Sequence, residues 1–152
     1  MAEKRRRHAS VVLDGKIYAM GGHDGAGHAL DTVEVYDPQA NSWQRVARMP
    51  RGLYGHAAAA MGGKIYVTGG INYGNLVNSA CVYDPQADAW TQLASMGTAR
   101  KTHASAAVGG KLYVFGGSAR LSTAEVYDPA SDSWAQVTSL TSARSSLVAV
   151  AL

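Results

Sequence analysis

The stretch Gly62-Gly63-Lys64-Ile65-Tyr66-Val67-Thr68-Gly69-Gly70 decides the fold, because it occurs three times in the chain. The other copies span Asp14–Gly22 and Gly109–Gly117, and each runs from a glycine turn through five non-glycine residues to a double glycine. The double glycines begin at residues 21, 69 and 116, in steps of 48 and 47. A period of this length indicates a repeat architecture.

Each repeat contains four short segments rich in strand-forming residues, separated by turn signals such as Asp14-Gly15 and Asp37-Pro38. We therefore expect four antiparallel strands per repeat and no helix. The predicted strands are His8–Leu13, Lys16–Met20, Thr32–Tyr36, Ser42–Val46, Tyr54–Met61, Lys64–Thr68, Ser79–Tyr83, Trp90–Leu93, His103–Val108, Lys111–Phe115, Thr123–Tyr127 and Trp134–Val137. Four strands per 44–48 residues are typical of a β-propeller blade.

The sequence thus predicts an all-β chain of three complete propeller blades plus one extra strand, Ser145–Ala151. The predicted domains are a disordered basic tail (1–6), blade 1 (7–52), blade 2 (53–97), blade 3 (98–142), and a segment (143–152) that begins a fourth blade or closes a ring by exchange between chains. Closed propellers have about 4–8 blades. The chain is therefore either a fragment of a larger propeller or half of a six-bladed homodimer.

The repeats resemble kelch repeats, in which a double glycine is followed by a tyrosine and a tryptophan at set spacing. Gly69-Gly70, Tyr83 and Trp90 fit this pattern, and the same landmarks recur in the other two repeats. Glu34–Pro38 and Glu125–Pro129 resemble BTB-kelch proteins in particular. The resemblance implies a non-catalytic protein-binding module and, for a parent protein of that class, the substrate-recognition part of a ubiquitin-ligase adaptor.

The repeated residues are predicted to be structural, since a binding role does not require one copy in every blade. An arginine lies 11 residues before the motif lysine in the first and third repeats, and both repeats also carry a glutamate. We expect Arg5 to pair with Glu34 and Arg100 with Glu125. The second repeat lacks both groups and has Leu53 and Cys81 instead, with Arg51 as a partial substitute.

Three histidines, His8, His56 and His103, each lie eight residues before the motif lysine and are candidates for a metal site in a central channel. Repeat symmetry alone explains their register, so the sequence predicts no metal. No P-loop lysine, dinucleotide fingerprint or Gly-x-Ser-x-Gly elbow is present, and we expect neither catalytic residues nor a cofactor. The single cysteine excludes an internal disulfide and a Cys-based zinc cluster.

The net charge of +3 is mild and lies partly in the basic run Lys4–Arg7, which is interpreted as a solvated tail rather than a nucleic-acid site. No apolar run reaches the roughly 20 residues of a membrane span. The absence of a signal-type segment and of disulfides favours a cytoplasmic location.

Loops between blades, and between the second and third strands, open on one face of a propeller, where kelch domains commonly bind partners. The predicted partner-binding residues in these loops are Arg48, Arg51, Tyr54, Tyr73, Arg100, Lys101, Arg120 and Arg144. They face only two acids, Asp24 and Asp31, which favours an acidic peptide or protein as partner. Alternatives are a carbohydrate-binding, sialic-acid-mutarotase-like kelch protein and a truncated or designed repeat protein with no selected ligand.

Overall fold

The computed structural model describes residues 1, 3–118 and 121–149. Every regular element within these ranges is a β-strand, and none is a helix that could span a membrane. The strands are β1 (Ala9–Leu13), β2 (Lys16–Met20), β3 (Val33–Asp37), β4 (Ser42–Val46), β5 (Ala57–Met61), β6 (Lys64–Thr68), β7 (Ile71–Asn72), β8 (Asn75–Leu76), β9 (Ala80–Asp84), β10 (Ala89–Leu93), β11 (Ala104–Val108), β12 (Lys111–Phe115), β13 (Ala124–Asp128) and β14 (Ser133–Val137).

The strands form three four-stranded antiparallel sheets, one per repeat, which confirms the predicted fold class. Blade 1 is β1-β2-β3-β4, blade 2 is β5-β6-β9-β10 and blade 3 is β11-β12-β13-β14, while β7 and β8 form a separate hairpin. The first strands of the three blades lie side by side, with β5 between β1 and β11. They line an open groove of about 440 Å³ that corresponds to the centre of the propeller.

Neighbouring blades are joined by the repeated aromatic residues. Tyr18 of blade 1 packs on Tyr83 of blade 2, and Tyr66 packs on Tyr127 of blade 3, each pair with 6.1 Å between ring centroids. Tyr83 and Tyr127 are each 2% exposed, so the two junctions are built around equivalent buried tyrosines. Buried aromatic rings of this kind contribute large apolar areas to the contact between blades.

The double glycines bring consecutive blades into backbone contact. The Gly22 N–H donates to the Leu53 carbonyl over 2.7 Å, and the Gly70 N–H donates to the Arg100 carbonyl over 2.7 Å. Gly21 has a φ of 61°, in the left-handed region that glycine enters without strain. A Cβ at Gly21 would lie 2.6 Å from the Leu53 carbonyl oxygen, which explains why the position needs glycine.

The predicted arginine–glutamate pairs are both present and buried. Arg5 Nη2 lies 2.8 Å from Glu34 Oε2, and Arg100 Nη2 lies 2.8 Å from Glu125 Oε1. Both arginine side chains are fully buried. Blade 2 replaces the pair with the buried residues Leu53 and Cys81, while Arg51 stays exposed.

Burial of Arg5 corrects the prediction of a disordered tail over residues 1–6. Its guanidinium also donates to the Gly21 and Thr32 carbonyls over 2.8 and 3.0 Å. These contacts fasten the segment before β1 to blade 1, because a buried arginine requires partners for its N–H groups. The blade bounds given by the sequence stay predictions.

The segment after blade 3 begins a fourth unit but forms no strand over its described residues 145–149. The Ser146 N–H donates to the Thr102 carbonyl over 2.8 Å, as the Thr102 N–H donates to the Gly55 carbonyl over 2.7 Å. The prediction of a strand over Ser145–Ala151 is therefore wrong for residues 145–149. A strand requires a neighbouring strand to bond with, and no described residue forms one beside this segment. Residues 150–152 lie outside the described part.

Candidate functional site

Three consecutive positions before each first strand have three different roles. The position 11 residues before the motif lysine is buried in all three blades, as Arg5, Leu53 and Arg100. Two positions later the backbone has a positive φ and forms hydrogen bonds between blades; these residues are Arg7 (52°), Gly55 (65°), Thr102 (50°) and Ser146 (54°). The position between them is neither buried nor part of these hydrogen bonds between blades. Its members are Arg6, Tyr54 and Lys101, which are here called the mouth residues.

The mouth residues lie at one end of the central groove, three residues before β1, β5 and β11. Each is bonded to the first residue after the double glycine of its own blade. The Arg6 N–H donates to the His23 carbonyl over 3.0 Å, the Ile71 N–H to the Tyr54 carbonyl over 2.9 Å, and the Ser118 N–H to the Lys101 carbonyl over 2.9 Å. The mouth residues and the loops after the double glycines therefore share one face, the mouth face.

The β7–β8 hairpin projects from the mouth face of blade 2. Its turn is Tyr73-Gly74, with φ values of 46° and 80°, which is the pattern of a type I′ turn. Tyr73 is 91% exposed, and Leu76 beside it is 41% exposed. The Asn72 side chain donates to the Gly52 carbonyl over 2.7 Å and thereby fixes the hairpin on the loop between blades 1 and 2.

Acidic and basic groups on this face are only partly balanced. Arg48 pairs with Asp31 over 3.0 Å, and His28 lies 2.9 Å from Asp24. Several basic side chains on the mouth face or in the loops between blades make no ion pair with any described residue. They are Arg6, Arg7, Arg51, Lys101 and Arg144. The mouth face thus presents uncompensated positive charge beside an exposed aromatic ring.

The predicted site residues fall into distinct environments. Tyr54 and Lys101 are half-buried mouth residues, whereas Tyr73, Arg51 and Arg144 are exposed. Arg48 is exposed but paired, and Arg120 lies outside the described residues.

Arg100 is a correction, because its side chain is fully buried against Glu125 and cannot reach a partner. The sequence prediction also missed Arg6 and Arg7, which it assigned to a tail. The register count that placed Arg5 beside Arg100 also places Arg6 beside Lys101, so this signal could have found Arg6, whereas it places Arg7 beside Thr102.

The three histidines in register do not converge. His103 Nε2 lies 2.9 Å from Thr68 Oγ1 in the preceding blade, and His56 packs against the position of Gly21. His8 is exposed. Within the described ranges, no three His, Cys, Asp or Glu side chains are grouped closely enough to hold a metal. The repeated histidine is therefore part of the junction between blades.

We expect these buried histidines to make stability depend on pH. Burial lowers the pKa of His56 to about 4, and burial together with Arg100 lowers that of His103 to about 3. Unfolded histidines bind protons near pH 6.5, so the stabilisation is complete above that pH and is lost as the pH falls towards 4. Between pH 7 and 5.5 the free energy of unfolding should fall by about 1 kcal/mol per histidine.

Urea denaturation at several pH values measures this loss. A His56→Gln variant should lose about half of the pH dependence that the two buried histidines cause, because only His103 of that pair remains. An unfolding free energy that is constant from pH 7 to 5.5 would contradict the role of both histidines.

Comparisons with known proteins agree with this architecture. Kelch-like protein 33 of Homo sapiens is 42% identical over 71 residues, which are 46% of this chain and 13% of that protein. An N-acetylneuraminate epimerase of Yersinia enterocolitica is 44% identical over 78 residues, covering 46% of this chain and 20% of that protein. The chain thus spans at most a fifth of the length of these two relatives.

A solved structure described as "Structure of YjhT" has a TM-score of 0.76 at 20% identity, and covers 90% of this chain and 53% of that one. This likeness concerns the fold alone. The family model described as KLHDC2/KLHL20/DRC7 Kelch-repeats domain matches residues 1–152. The chain therefore belongs to the KLHDC2/KLHL20/DRC7 Kelch-repeats domain family.

Proposed function

We propose that this kelch domain is a non-catalytic protein-interaction module that binds an acidic peptide segment across the mouth face. The observation that carries the proposal is Tyr73, an almost fully exposed aromatic residue in a left-handed conformation. The mouth residues Arg6 and Lys101 supply the charge that selects an acidic partner. Tyr73, Arg6 and Lys101 all lie outside the buried register position that Arg5 and Arg100 occupy.

Tyr73 supports the proposal because its position is costly for the fold. The left-handed conformation costs a non-glycine residue about 1–2 kcal/mol, and type I′ turns favour Asn or Gly at both central positions. Strain that persists without a packing benefit is typical of functional sites. Exposed tyrosines are also common anchors at protein interfaces.

The charge on the mouth face supports an acidic partner. Guanidinium groups bind carboxylates through paired hydrogen bonds. Arg6, Arg7 and Arg51 are exposed and make no ion pair with the described residues, so they can engage a partner without first breaking an internal contact. Peptides rich in Asp and Glu are thus expected to associate faster and more strongly than neutral ones.

A peptide selection and one substitution test this proposal. Selection from a random-peptide library should enrich sequences rich in Asp and Glu. Tyr73→Asn should weaken binding of the selected peptide by about tenfold, which corresponds to 1.4 kcal/mol. It should also raise the free energy of unfolding by roughly 1 kcal/mol. Calorimetric titration and urea denaturation measure the two effects.

The control is Tyr36→Phe, which alters a tyrosine hydroxyl that donates to Asn41 within a turn and lies outside the mouth face. This variant should bind the selected peptide as the parent does. Enrichment of neutral or basic peptides, or unchanged binding by Tyr73→Asn, would contradict the proposal. Failure to enrich any peptide would instead favour a repeat protein without a selected ligand.

The resemblance to BTB-kelch proteins suggests what the partner is for. In a cytoplasmic parent protein of that class, the acidic segment would belong to a substrate of the ubiquitin ligase. A carbohydrate function is the second candidate, because one relative is named as an N-acetylneuraminate epimerase. Its sugar carries a carboxylate that also suits Arg6 and Lys101, and titration with N-acetylneuraminate separates the two candidates.

A further inference from the structure

The β7–β8 hairpin and Tyr54 form a miniature sheet on the mouth face. Tyr54 and Ile71 exchange two backbone hydrogen bonds: the Ile71 N–H donates to the Tyr54 carbonyl over 2.9 Å, and the Tyr54 N–H donates to the Ile71 carbonyl over 3.2 Å. On its other side, Ile71 pairs with Leu76 of β8. The order across the sheet is therefore Tyr54, β7 and β8, with β8 as an outer strand.

The outer edge of β8 has an unpaired backbone at Leu76. Opposite residues of an antiparallel pair alternately exchange both of their backbone hydrogen bonds or none. The N–H and carbonyl of Ile71 are bonded to Tyr54, so the Leu76 N–H and carbonyl point away from β7. The next pair fits this alternation, since the Val77 N–H donates to the Gly70 carbonyl over 3.0 Å. No described residue bonds the Leu76 N–H or carbonyl.

This edge also lacks the usual protection against an added strand. Exposed edges in proteins are commonly protected by charged side chains, by proline or by a covering segment. The hairpin from Ile71 to Leu76 contains neither a charged residue nor a proline. Leu76 is 41% exposed, and Tyr73 at the tip is 91% exposed. An open edge beside exposed apolar side chains is a surface to which an extended peptide can add as a further strand.

Positive charge lies at the base of the same edge. The Val77 carbonyl, one residue beyond β8, accepts the Arg100 N–H over 3.2 Å, and Lys101 follows Arg100 directly. Lys101 makes no ion pair with any described residue. A strand laid along β8 therefore runs between the tip at Tyr73 and the segment that carries Lys101.

We propose that the acidic peptide adds to the edge of β8 as an antiparallel strand, an inference that rests on the proposed function and specifies how the peptide binds. One residue of an antiparallel strand bonds both the N–H and the carbonyl of Leu76. Its side chain lies on the same face as those of Leu76 and Ile71, because directly opposite residues share a face. That residue is expected to be apolar, with an acidic residue one or two positions away at the Lys101 end.

Charge favours an acidic peptide over a second copy of this chain as the added strand. Pairing of two β8 edges would bring two mouth faces together. Lys101 and Arg51 of both copies would then lie in one interface without acidic partners among the described residues, and like charges that meet in an interface repel. An acidic peptide instead brings the carboxylates that these groups bind.

N-methylation of the selected acidic peptide, one residue at a time, tests the inference by calorimetric titration with the parent chain. Methylation of the residue opposite Leu76 removes its donor to the Leu76 carbonyl and should weaken binding by at least about tenfold. The N–H groups of the two adjacent residues point away from β8, so their methylation should leave the affinity nearly unchanged. Binding through side chains alone would show no such alternation.

Two variants test the same contact from the side of the protein. Leu76→Pro removes the Leu76 N–H, and proline is tolerated where the N–H of an edge strand faces solvent. It should weaken binding of the selected peptide by at least about tenfold. Leu76→Ala is the matched control, because it keeps the N–H and shortens the side chain, and it should weaken binding less. Circular dichroism verifies that both variants are folded, and the measurements on methylated peptides do not depend on them.

The outcomes separate this inference from the proposed function. Equal effects of methylation at every position, or equal binding by Leu76→Pro and Leu76→Ala, would overturn the inference and leave the proposed function in place. Failure to select any peptide would overturn both. A dimer of the parent chain that Leu76→Pro dissociates would assign the edge to a second copy and would also overturn the inference.

Discussion

Replacing Arg100 by alanine is expected to lower the free energy of unfolding by about 3–5 kcal/mol. The substitution leaves Glu125, which is 2% exposed, as a buried carboxylate without its charged partner. It also removes the donor to the Gly116 and Thr123 carbonyls, at 2.9 and 2.8 Å. Few surface arginines have an effect of this size, because exposed ion pairs contribute at most about 1 kcal/mol.

Blade 2 supplies the matched control for this substitution. There the pair is replaced by Leu53 and Cys81. Pro50 lies three residues before Leu53, as Gly97 lies three residues before Arg100, and the Gly97 N–H donates to Glu125 over 2.6 Å. Proline has no N–H, so blade 2 removes the donor together with the acceptor.

A triple variant of Gly97→Pro, Arg100→Leu and Glu125→Cys introduces the residues of the second repeat at the matching positions of the third. It should lose less than half as much stability as Arg100→Ala, because apolar replacement of a whole buried pair is often neutral. Urea denaturation compares the variants. A loss below about 1 kcal/mol for Arg100→Ala, or an equal loss for the triple variant, would contradict the assigned role.

Replacing Gly21 by alanine is the second large effect. The new Cβ would lie 2.6 Å from the Leu53 carbonyl oxygen and from His56 Cε1, and 2.8 Å from Met49 Cε. Left-handed strain of about 1–2 kcal/mol adds to about 1–3 kcal/mol for forced packing. The expected loss in the free energy of unfolding is therefore about 2–5 kcal/mol.

Gly62→Ala is the control, because Gly62 has a φ of 59°, against 61° for Gly21, and nothing lies within 4 Å of its added Cβ. It should show the conformational strain alone, about 1–2 kcal/mol. Thermal and urea denaturation of the two variants separate strain from contact between blades. Equal losses would mean that the close approach of blade 2 to Gly21 does not contribute.

Register explains how much of the fold was predictable. The motif lysine lies five residues before the double glycine in all three repeats, and a tryptophan follows in each. Any hypothesis about one blade could therefore be checked against three copies of the repeat. The same register aligned Arg5 with Arg100, and Glu34 and Glu125 with Cys81. The structure confirms the two ion pairs that this alignment predicts, Arg5–Glu34 and Arg100–Glu125. Comparison of the repeats therefore identified the arginines and glutamates that stabilise the blades.

Features that occur once were harder to predict. Arg100 lies in a loop between blades, where a basic residue is usually exposed, and its burial depends on Glu125, which is 25 residues away. Tyr73 was predicted to lie in a loop, but its type I′ turn and exposure follow from the way Asn72 holds the hairpin on Gly52. Such contacts between distant segments leave no periodic signal in the sequence.

The adjacent residues Arg100 and Lys101 allow the most direct test of the account, which assigns one to structure and the other to binding. The measurement is the affinity of the selected acidic peptide, by calorimetric titration, for Lys101→Glu and for the triple variant that removes Arg100. We predict that Lys101→Glu weakens binding by at least about tenfold at unchanged stability, while the triple variant binds as the parent does. Unchanged binding by Lys101→Glu, with loss of binding in the folded triple variant, would contradict the account.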